Sequence, residues 1–559
     1  MIAAPAATKL ARNEGLKESS PTLSGTIFQA LENPSLDRFS EDDYEFLKFH
    51  GVYQQDDRDL RKVARHYQLM VRTKFPGGVL SARQYLACDR LSSQYGNNTM
   101  RITTRQDFQF HGVLKSNLRQ TIKSLNEALI STVAACGDVE RNVLAPPTPA
   151  TSPLVERVLE EARVLSGKLA PKAPAYHAIW IEGRELDLND EANAKFVDPL
   201  YGARYLPRKF KTAFVIPPLN DIDIFTNDLG FVVIAEGDQL AGYNVLAGGG
   251  MGMSHGNAQT FPRLADVIGF ITPDQVEAVA KAAITIHRDY GDRTNRKHAR
   301  LKYLLAERGV DWFRTELEQR AGIELGAARP FKFTTQGDLL GWHKQSDGRY
   351  FLGLFVENGR IADAEGYRLK TGLREVAEQF QTEVRLTPSQ NLLLVNVGAG
   401  EREEIDRRLG GHGVSTANPF SPTRLASMAC PALPTCGLAL AESERAMPSI
   451  LSRIEGVLAE LGLEREKLIV RMTGCPNGCT RPYTAELAFV GKAPNKYQIY
   501  VGGNEASTRL NRVYKDSVKG DELISEVRTL LAHYKKEREA GERFGDFCAR
   551  VVWNDHPTQ

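Results

Sequence analysis

The chain has 559 residues, too many for one ordinary core, so roughly two to four domains are expected. With 42% hydrophobic and 25% charged residues it has the composition of a soluble globular protein, and its net charge of +2 excludes a general polyanion binder while leaving room for a local basic cavity. Apolar runs such as Phe231–Ala235 are far short of a membrane span, and Lys9, Arg12, Glu14, Lys17 and Glu18 follow the small apolar start too soon for a signal-peptide core. Seven cysteines in this length suit a reducing compartment, and the cytoplasm is expected.

Residues 1 to about 40, rich in Ser, Pro and charge, read as weakly ordered on their own, with docking of a partner as the alternative role. Next comes a helix capped by Ser81, its apolar face beginning at Tyr85 and Leu86, and then the strand-like Met100-Arg-Ile-Thr-Thr-Arg-Gln-Asp-Phe-Gln-Phe110. The same succession returns later. Leu373, Val376, Ala377 and Phe380 fall at helical spacing behind a cap at Thr371, and Val384-Arg-Leu-Thr-Pro-Ser-Gln-Asn-Leu-Leu-Leu394 follows. A fainter echo sets Phe231–Ala235 and Gly248–Gly250 against Leu487–Val490 and Gly502-Gly503. These echoes point to a duplicated, pseudo-twofold body with its site between the halves. Mixed strand and helix patterns with few clean βαβ alternations indicate an α+β fold.

The two copies differ where chemistry is expected. Arg105 in the first is matched by Ser389 in the second. The first half carries Arg72, Arg101, Arg105, Arg141, Arg208, Lys209 and Lys211, and alternation lets Lys209 and Lys211 share one side while Phe210 points away. The second half carries Cys430 and Cys436 in Cys-Pro-Ala-Leu-Pro-Thr-Cys, and Cys475 and Cys479 in Thr-Gly-Cys-Pro-Asn-Gly-Cys-Thr-Arg-Pro. Gaps of five and three residues do not suit a zinc ribbon, whereas four thiolates are what a [4Fe–4S] cube requires. Cys88, Cys136 and Cys548 read as small core residues. No G-x-G-x-x-G follows a strand, since Gly248-Gly-Gly-Met-Gly-Met253 breaks the pattern, so electrons must come from a partner.

Several segments together resemble the sulfite/nitrite reductase family: His50-Gly-Val-Tyr-Gln-Gln-Asp-Asp-Arg58, Arg105–Gly112, Glu140-Arg-Asn-Val143, Tyr205–Thr212, Ile216-Pro-Pro, Arg296-Lys-His-Ala-Arg300 and both cysteine motifs. The resemblance covers about residues 45–550 and favours the assimilatory sulfite branch. It implies six-electron reduction of sulfite to sulfide at a sirohaem coupled to a [4Fe–4S] cluster, with Cys479 as the shared ligand and Asn477 close to the cofactor. It places Arg101, Arg105, Gln109, His111 and Arg300 around the sirohaem, and Arg72, Arg141, Lys209 and Lys211 in the distal cavity. A diflavin NADPH-dependent reductase is the implied electron donor, with ferredoxin as the alternative.

The implied architecture has an N-terminal extension (1–69), a discontinuous ferredoxin-like repeat domain (70–134 with 343–417), a first cofactor domain (135–342) and a second (418–559). Lys48 stands where relatives can have arginine, and Gly137 replaces an expected polar residue. A nitrite reductase of the same family is the rival activity, and a non-catalytic zinc or iron–sulfur protein is the rival class.

Overall fold

Each repeated segment builds an antiparallel sheet of five strands, and each sheet borrows its last strand from the other copy. The first runs Val52–Asp56, Tyr67–Arg72, Phe108–Val113, Met100–Ile102 and Arg360–Ile361; the second runs Gly341–Lys344, Tyr350–Leu354, Leu392–Val397, Glu383–Leu386 and Val79–Leu80. The exchange follows two matching turns. Gly77 and Gly78 take φ of 64° and 75°, and Asn358 and Gly359 take 52° and 74°. A Cβ on Gly78 would meet Leu386 O at 2.5 Å, so this glycine is what lets the borrowed strand reach its neighbour. The computed structural model describes residues 9–149, 152–172, 180–181, 184–185 and 196–555.

The glutamine common to both copies has a backbone reason. Gln106 and Gln390 both sit at positive φ, 56° and 71°, in turns closed by Gln106 N–H to Thr103 O (3.1 Å) and Gln390 N–H to Thr387 O (3.0 Å). Gln106 Nε2 then donates to Gly77 O, Ala145 O and Leu386 O at 2.9–3.1 Å, tying the first repeat to the second. The helix Ala82–Gln94 starts with a capping box in which Ser81 accepts from Gln84 N–H. Its counterpart Leu369–Phe380 does not start at Thr371. It begins two residues earlier, and Asp363 accepts from Thr371 N–H (3.0 Å) and Oγ1 (2.6 Å), so a carboxylate remote in sequence does the expected capping.

Two outer sheets repeat one another as well. Thr212–Val215 runs parallel to Leu229–Glu236, which continues antiparallel into Gln239–Ala247 and Asp266–Ile271; Val470–Thr473, Leu487–Ala493, Lys496–Val501 and Arg512–Lys519 have the same sense, with Met428–Ala429 added at the edge. Leu229 N–H donates to Lys211 O (3.1 Å) as Leu487 N–H does to Ile469 O (3.2 Å). Gly248 and Gly249 bond back to Asp228 and Asn227 as Gly502 and Gly503 do to Glu486 and Ala485. The echo is therefore real, with Leu229 rather than Phe231 as the partner of Leu487. The fold is α+β, pseudo-twofold, and built from two reductase-type repeats.

Between the halves lies a buried charge cluster. Asp223 and Arg481 share the left-handed conformation (φ 50° and 55°), each just before a short 3-10 turn, and they pair with one another. Arg471 also reaches Asp223, at 2.9 Å. Arg481 continues to Pro388 O (3.0 Å) and Thr104 O (3.4 Å), so it touches the turn of both repeats.

Weak order does not extend to residues 9–40, which are held to the body. In the helix Arg12–Ser19, Lys17 is only 3% exposed, bonded to Glu14 (2.6 Å) and Leu206 O (2.8 Å) and 3.6 Å from Asp138. Composition hides this because the lysine serves a buried carboxylate. Residues 1–8 lie outside the described chain.

Removing one partner of a buried ion pair strands the other charge. Asp223→Ala should therefore cost about 3–5 kcal/mol, read from the denaturation midpoint, and adding Arg481→Met should cost less on that background than alone.

Candidate functional site

One face of the first sheet carries a row of polar side chains set by register. Arg72 lies opposite Gln109, Gln109 opposite Arg101, and Arg101 opposite Arg360 on the borrowed strand. His111, two residues beyond Gln109, shares the face. With its amide oxygen turned toward Arg72, Gln109 accepts from Arg72 Nε at 3.2 Å. Glu444 accepts from Arg101 Nε (2.9 Å) and from Arg360 Nε (2.6 Å) and Nη2 (3.0 Å), and Arg101 Nη2 donates to Ala429 O (2.6 Å), beside Cys430. Arg360 Nη1 is 3.4 Å from His111 Nδ1. Burial, then Arg360, Arg101 and Arg72, hold the His111 pKa well below its usual value, so the imidazole is neutral.

A second wall comes from the segments before the outer sheet. Arg141 N–H donates to Phe210 O (3.0 Å) and Phe210 N–H to Val139 O (3.1 Å), which seats Phe210 in the core and leaves Lys209 and Lys211 half-buried on either side. Arg141 fixes its guanidinium on Gly137 O (2.9 Å) and Ala135 O (3.2 Å). Arg105 donates to Asn227 Oδ1 (3.0 Å), Thr212 O (3.2 Å) and Asn142 O, while its Nε has no partner. Arg300 is held by Asp228 through two bonds of 2.8–2.9 Å.

The charge of this wall is unbalanced. Among the described residues, Arg72, Lys74, Arg105, Arg141, Lys209 and Lys211 form no ion pair. Burial, then Arg208, Arg300 and Arg141, bring Lys209 down to about 7. Burial, then Lys209, Arg105 and Arg300, push Lys211 well below the usual lysine value. Burial brings Arg105 down to about 10. Cations crowded this way require an anion.

Opposite stand the four cysteines. Cys430 follows the edge strand Met428–Ala429, and Cys475 and Cys479 follow Val470–Thr473. Gly474 N–H points at Cys430 Sγ (3.3 Å) and Asn477 Nδ2 at Cys475 Sγ (3.4 Å). Burial, followed by neighbouring Cys479, pushes the Cys475 thiol up to about 12, and Cys430 responds the same way. Thiols that raise one another's pKa, with N–H groups aimed at sulfur, suit thiolates neutralised by a cluster. Cys479 is exposed, its carbonyl accepts from Thr104 Oγ1 (3.0 Å), and its sulfur acts on Lys209 and Arg72. Among the described residues no group of three or more His, Cys, Asp or Glu side chains is placed to hold a metal ion. Cys88, Cys136 and Cys548 are buried singly.

The two departures are accounted for locally. Gly137 has φ of 90°, and a Cβ there would meet Phe49 at 2.8 Å, so no side chain fits. Lys48 pairs with Glu45 and lies 4.1 Å from the Tyr44 ring centroid. Sequence reading missed Arg360 and Glu444, which reach the site only through strand exchange and the cysteine loop. It also missed Lys74, and Lys302, whose ammonium donates to Gly250 O (3.1 Å), Gly252 O (2.7 Å) and Phe261 O and is brought down to about 6 by burial first.

A duplicated α+β body that sets four thiols against a cationic cavity defines a redox protein acting on an anion. The model of the nitrite and sulphite reductase 4Fe-4S domain matches residues 160–325 and 421–555, and that of the nitrite/sulfite reductase ferredoxin-like half domain matches 62–128 and 343–412. The chain belongs to this nitrite and sulphite reductase family, whose cofactors are a [4Fe–4S] cluster and sirohaem. It is 48% identical to the sulfite reductase [NADPH] hemoprotein beta-component of Myxococcus xanthus over 97% of this chain and 96% of that one. It is 47% identical to the protein of the same name from Shouchella clausii, over 96% and 94%. The structure of the Mycobacterium tuberculosis NirA protein has the same fold, with a TM-score of 0.79 at 24% identity over 98% of this chain and 97% of that one.

Lys209 carries its proton only below its lowered pKa, so the cavity loses positive charge as pH rises through about 7. Competition binding of a small oxyanion to the cofactor-loaded protein should weaken over that interval, and Lys209→Met should flatten the dependence.

Proposed function

We propose that this chain is the catalytic, haem-carrying component of a sulfite reductase, reducing sulfite to sulfide by six electrons in sulfate assimilation and cysteine biosynthesis. The observation that carries the proposal is the cation set of Arg72, Arg105, Arg141, Lys209 and Lys211, without ion pairs among the described residues, with Cys479 near enough to act on Arg72 and Lys209. Cys430, Cys436, Cys475 and Cys479 would hold the cluster, with Cys479, the exposed member, shared with the sirohaem iron. Arg101, Arg105, Gln109, His111 and Arg300 would receive the carboxylate-bearing macrocycle, with Asn477 beside it. The orphan Nε of Arg105 supports this role, because a buried N–H without a protein partner is a donor left for a ligand. When bound, the coupled pair supplies electrons one at a time to the substrate.

Arg72 and Arg141 would clamp sulfite oxygens with fixed guanidinium forks. Lys209 and Lys211 would give protons to each departing oxygen, since a lysine near pH 7 loses a proton readily and an arginine does not. Neutral His111 can accept a hydrogen bond without adding charge. The supply of electrons would come from a diflavin NADPH-dependent reductase; the names of the relatives carry NADPH and call each a beta-component. Among the described residues no helix is long and apolar enough to cross a membrane, and a cytoplasmic location is part of the proposal. So is a division into an extension (1–69), a repeat domain (70–134 with 343–417) and two cofactor domains (135–342 and 418–559).

Lys209→Met and Lys211→Met should each lower kcat/KM for sulfite by about 10²–10⁴ while the cofactor absorption bands persist. Full turnover in both would overturn the proton-donor assignment. With one artificial donor, a higher specificity constant for nitrite than for sulfite would overturn the substrate.

A further inference from the structure

The anion cavity is braced by a part of the chain that the family models do not reach. Their matches begin at residue 62, whereas the helix Arg12–Ser19 lies well before it. That helix and the turn after it grip residues 204–206. Lys17 Nζ donates to Leu206 O (2.8 Å), Arg204 donates to both oxygens of Glu18 (2.9 and 3.0 Å), and the Tyr205 hydroxyl donates to Pro21 O (3.0 Å). Glu14 pairs with Arg293, which donates in turn to Tyr205 O (2.7 Å). Tyr205 takes φ of 52°, a left-handed conformation that is costly for a bulky side chain. The grip therefore holds a turn that the local sequence disfavours.

Lys17 differs from the other contacts because it touches both segments that carry the cavity cations. Its ammonium bonds Leu206 O and lies 3.6 Å from Asp138 Oδ2. Asp138 directly follows Gly137, whose carbonyl fixes Arg141 Nε (2.9 Å). Leu206 N–H donates to Asp138 O (3.0 Å), and Lys209 stands three residues further along. One buried ammonium thus joins the segment that fixes Arg141 to the segment that ends on Lys209. The same carboxylate takes Arg296 through two bonds, of 2.6 and 3.1 Å, and leaves Arg208 at 3.8 Å. With Arg296 and Lys17 answering Asp138, Arg208 is only loosely drawn to it, and after burial Arg208 does most to lower Lys209. A buried charge is an inefficient way to gain stability alone, since well-packed apolar side chains serve as well or better. It is an effective way to fix two backbone segments at one point.

We propose that Lys17 is a positioning residue for the anion cavity, acting through Asp138 and Leu206 to set the relative places of Arg141, Arg208 and Lys209 and so the affinity for sulfite. The inference rests on the reading of that cavity as the sulfite site.

Dissociation constants of the full-length, cofactor-loaded protein for sulfite and, in the reduced state, for carbon monoxide, an uncharged haem ligand, test this. Lys17→Met should weaken sulfite binding about tenfold or more and leave carbon monoxide within about twofold. Arg204→Ala, which loosens the same helix without touching Asp138, should change neither. If Lys17→Met does not fold, Lys17→Gln keeps a donor for Leu206 O, removes the charge facing Asp138, and is expected to weaken sulfite and spare carbon monoxide in the same way. Unchanged sulfite affinity in the folded variant, an equal loss for carbon monoxide, or equal weakening by Arg204→Ala would overturn the proposal. Wild-type protein that binds carbon monoxide but no sulfite would overturn the underlying reading, and the proposal with it.

Discussion

Positive charge held in place without a direct ion pair is the constraint on which the rest of this structure depends. At an effective dielectric near 20, two unit charges at 4 Å interact by about 4 kcal/mol, and the first cavity gathers several like charges while the buried carboxylates near them, Glu140, Asp107 and Asp228, form no ion pair with Arg72, Arg105, Arg141, Lys209 or Lys211. The protein answers with backbone. Arg141 is fixed on two carbonyls, Arg105 on two carbonyls and an amide, and Lys209 and Lys211 flank a phenylalanine that cannot leave the core. These contacts hold geometry without cancelling charge. The result is a cavity prepared for an anion before one arrives, which is the form that electrostatic preorganisation takes.

The duplication supplies the rigidity. Each sheet is completed by a strand from the other copy, so neither half can shift without the other. The charge cluster of Asp223, Arg471 and Arg481 sits where the halves meet, and Arg481 stands two residues after Cys479. The cysteine loop and the Arg105 turn are thereby referred to a common point. One copy carries the cations and the other the thiols, so a symmetric frame holds an asymmetric centre.

Much of this was legible in the chain, for identifiable reasons. The repeat at Met100–Phe110 and Val384–Leu394 shows because strand alternation and a turn that demands a left-handed glutamine leave the same residues behind. The cysteines show because four thiols at odd spacing have few other uses. The side of the chain on which Lys209 and Lys211 lie follows from period-two alternation. Arg360 and Glu444 were not legible, since the row of cations is completed by strand exchange between segments some 250 residues apart. Thr371 looked like a cap because Asp363, which does that work, approaches from a preceding hairpin. The N-terminal segment looked loose because composition cannot reveal that Lys17 answers Asp138 across the molecule.

The central claim is that the thiols and the cations frame one coupled redox centre. The most direct test is the visible absorption spectrum of the anaerobically purified protein before and after sulfite is added. The account predicts a red chlorin band beside the Soret band, both moved by sulfite. A protein made with sirohaem synthesis intact that shows no chlorin, and carries zinc on its four thiols, would contradict it.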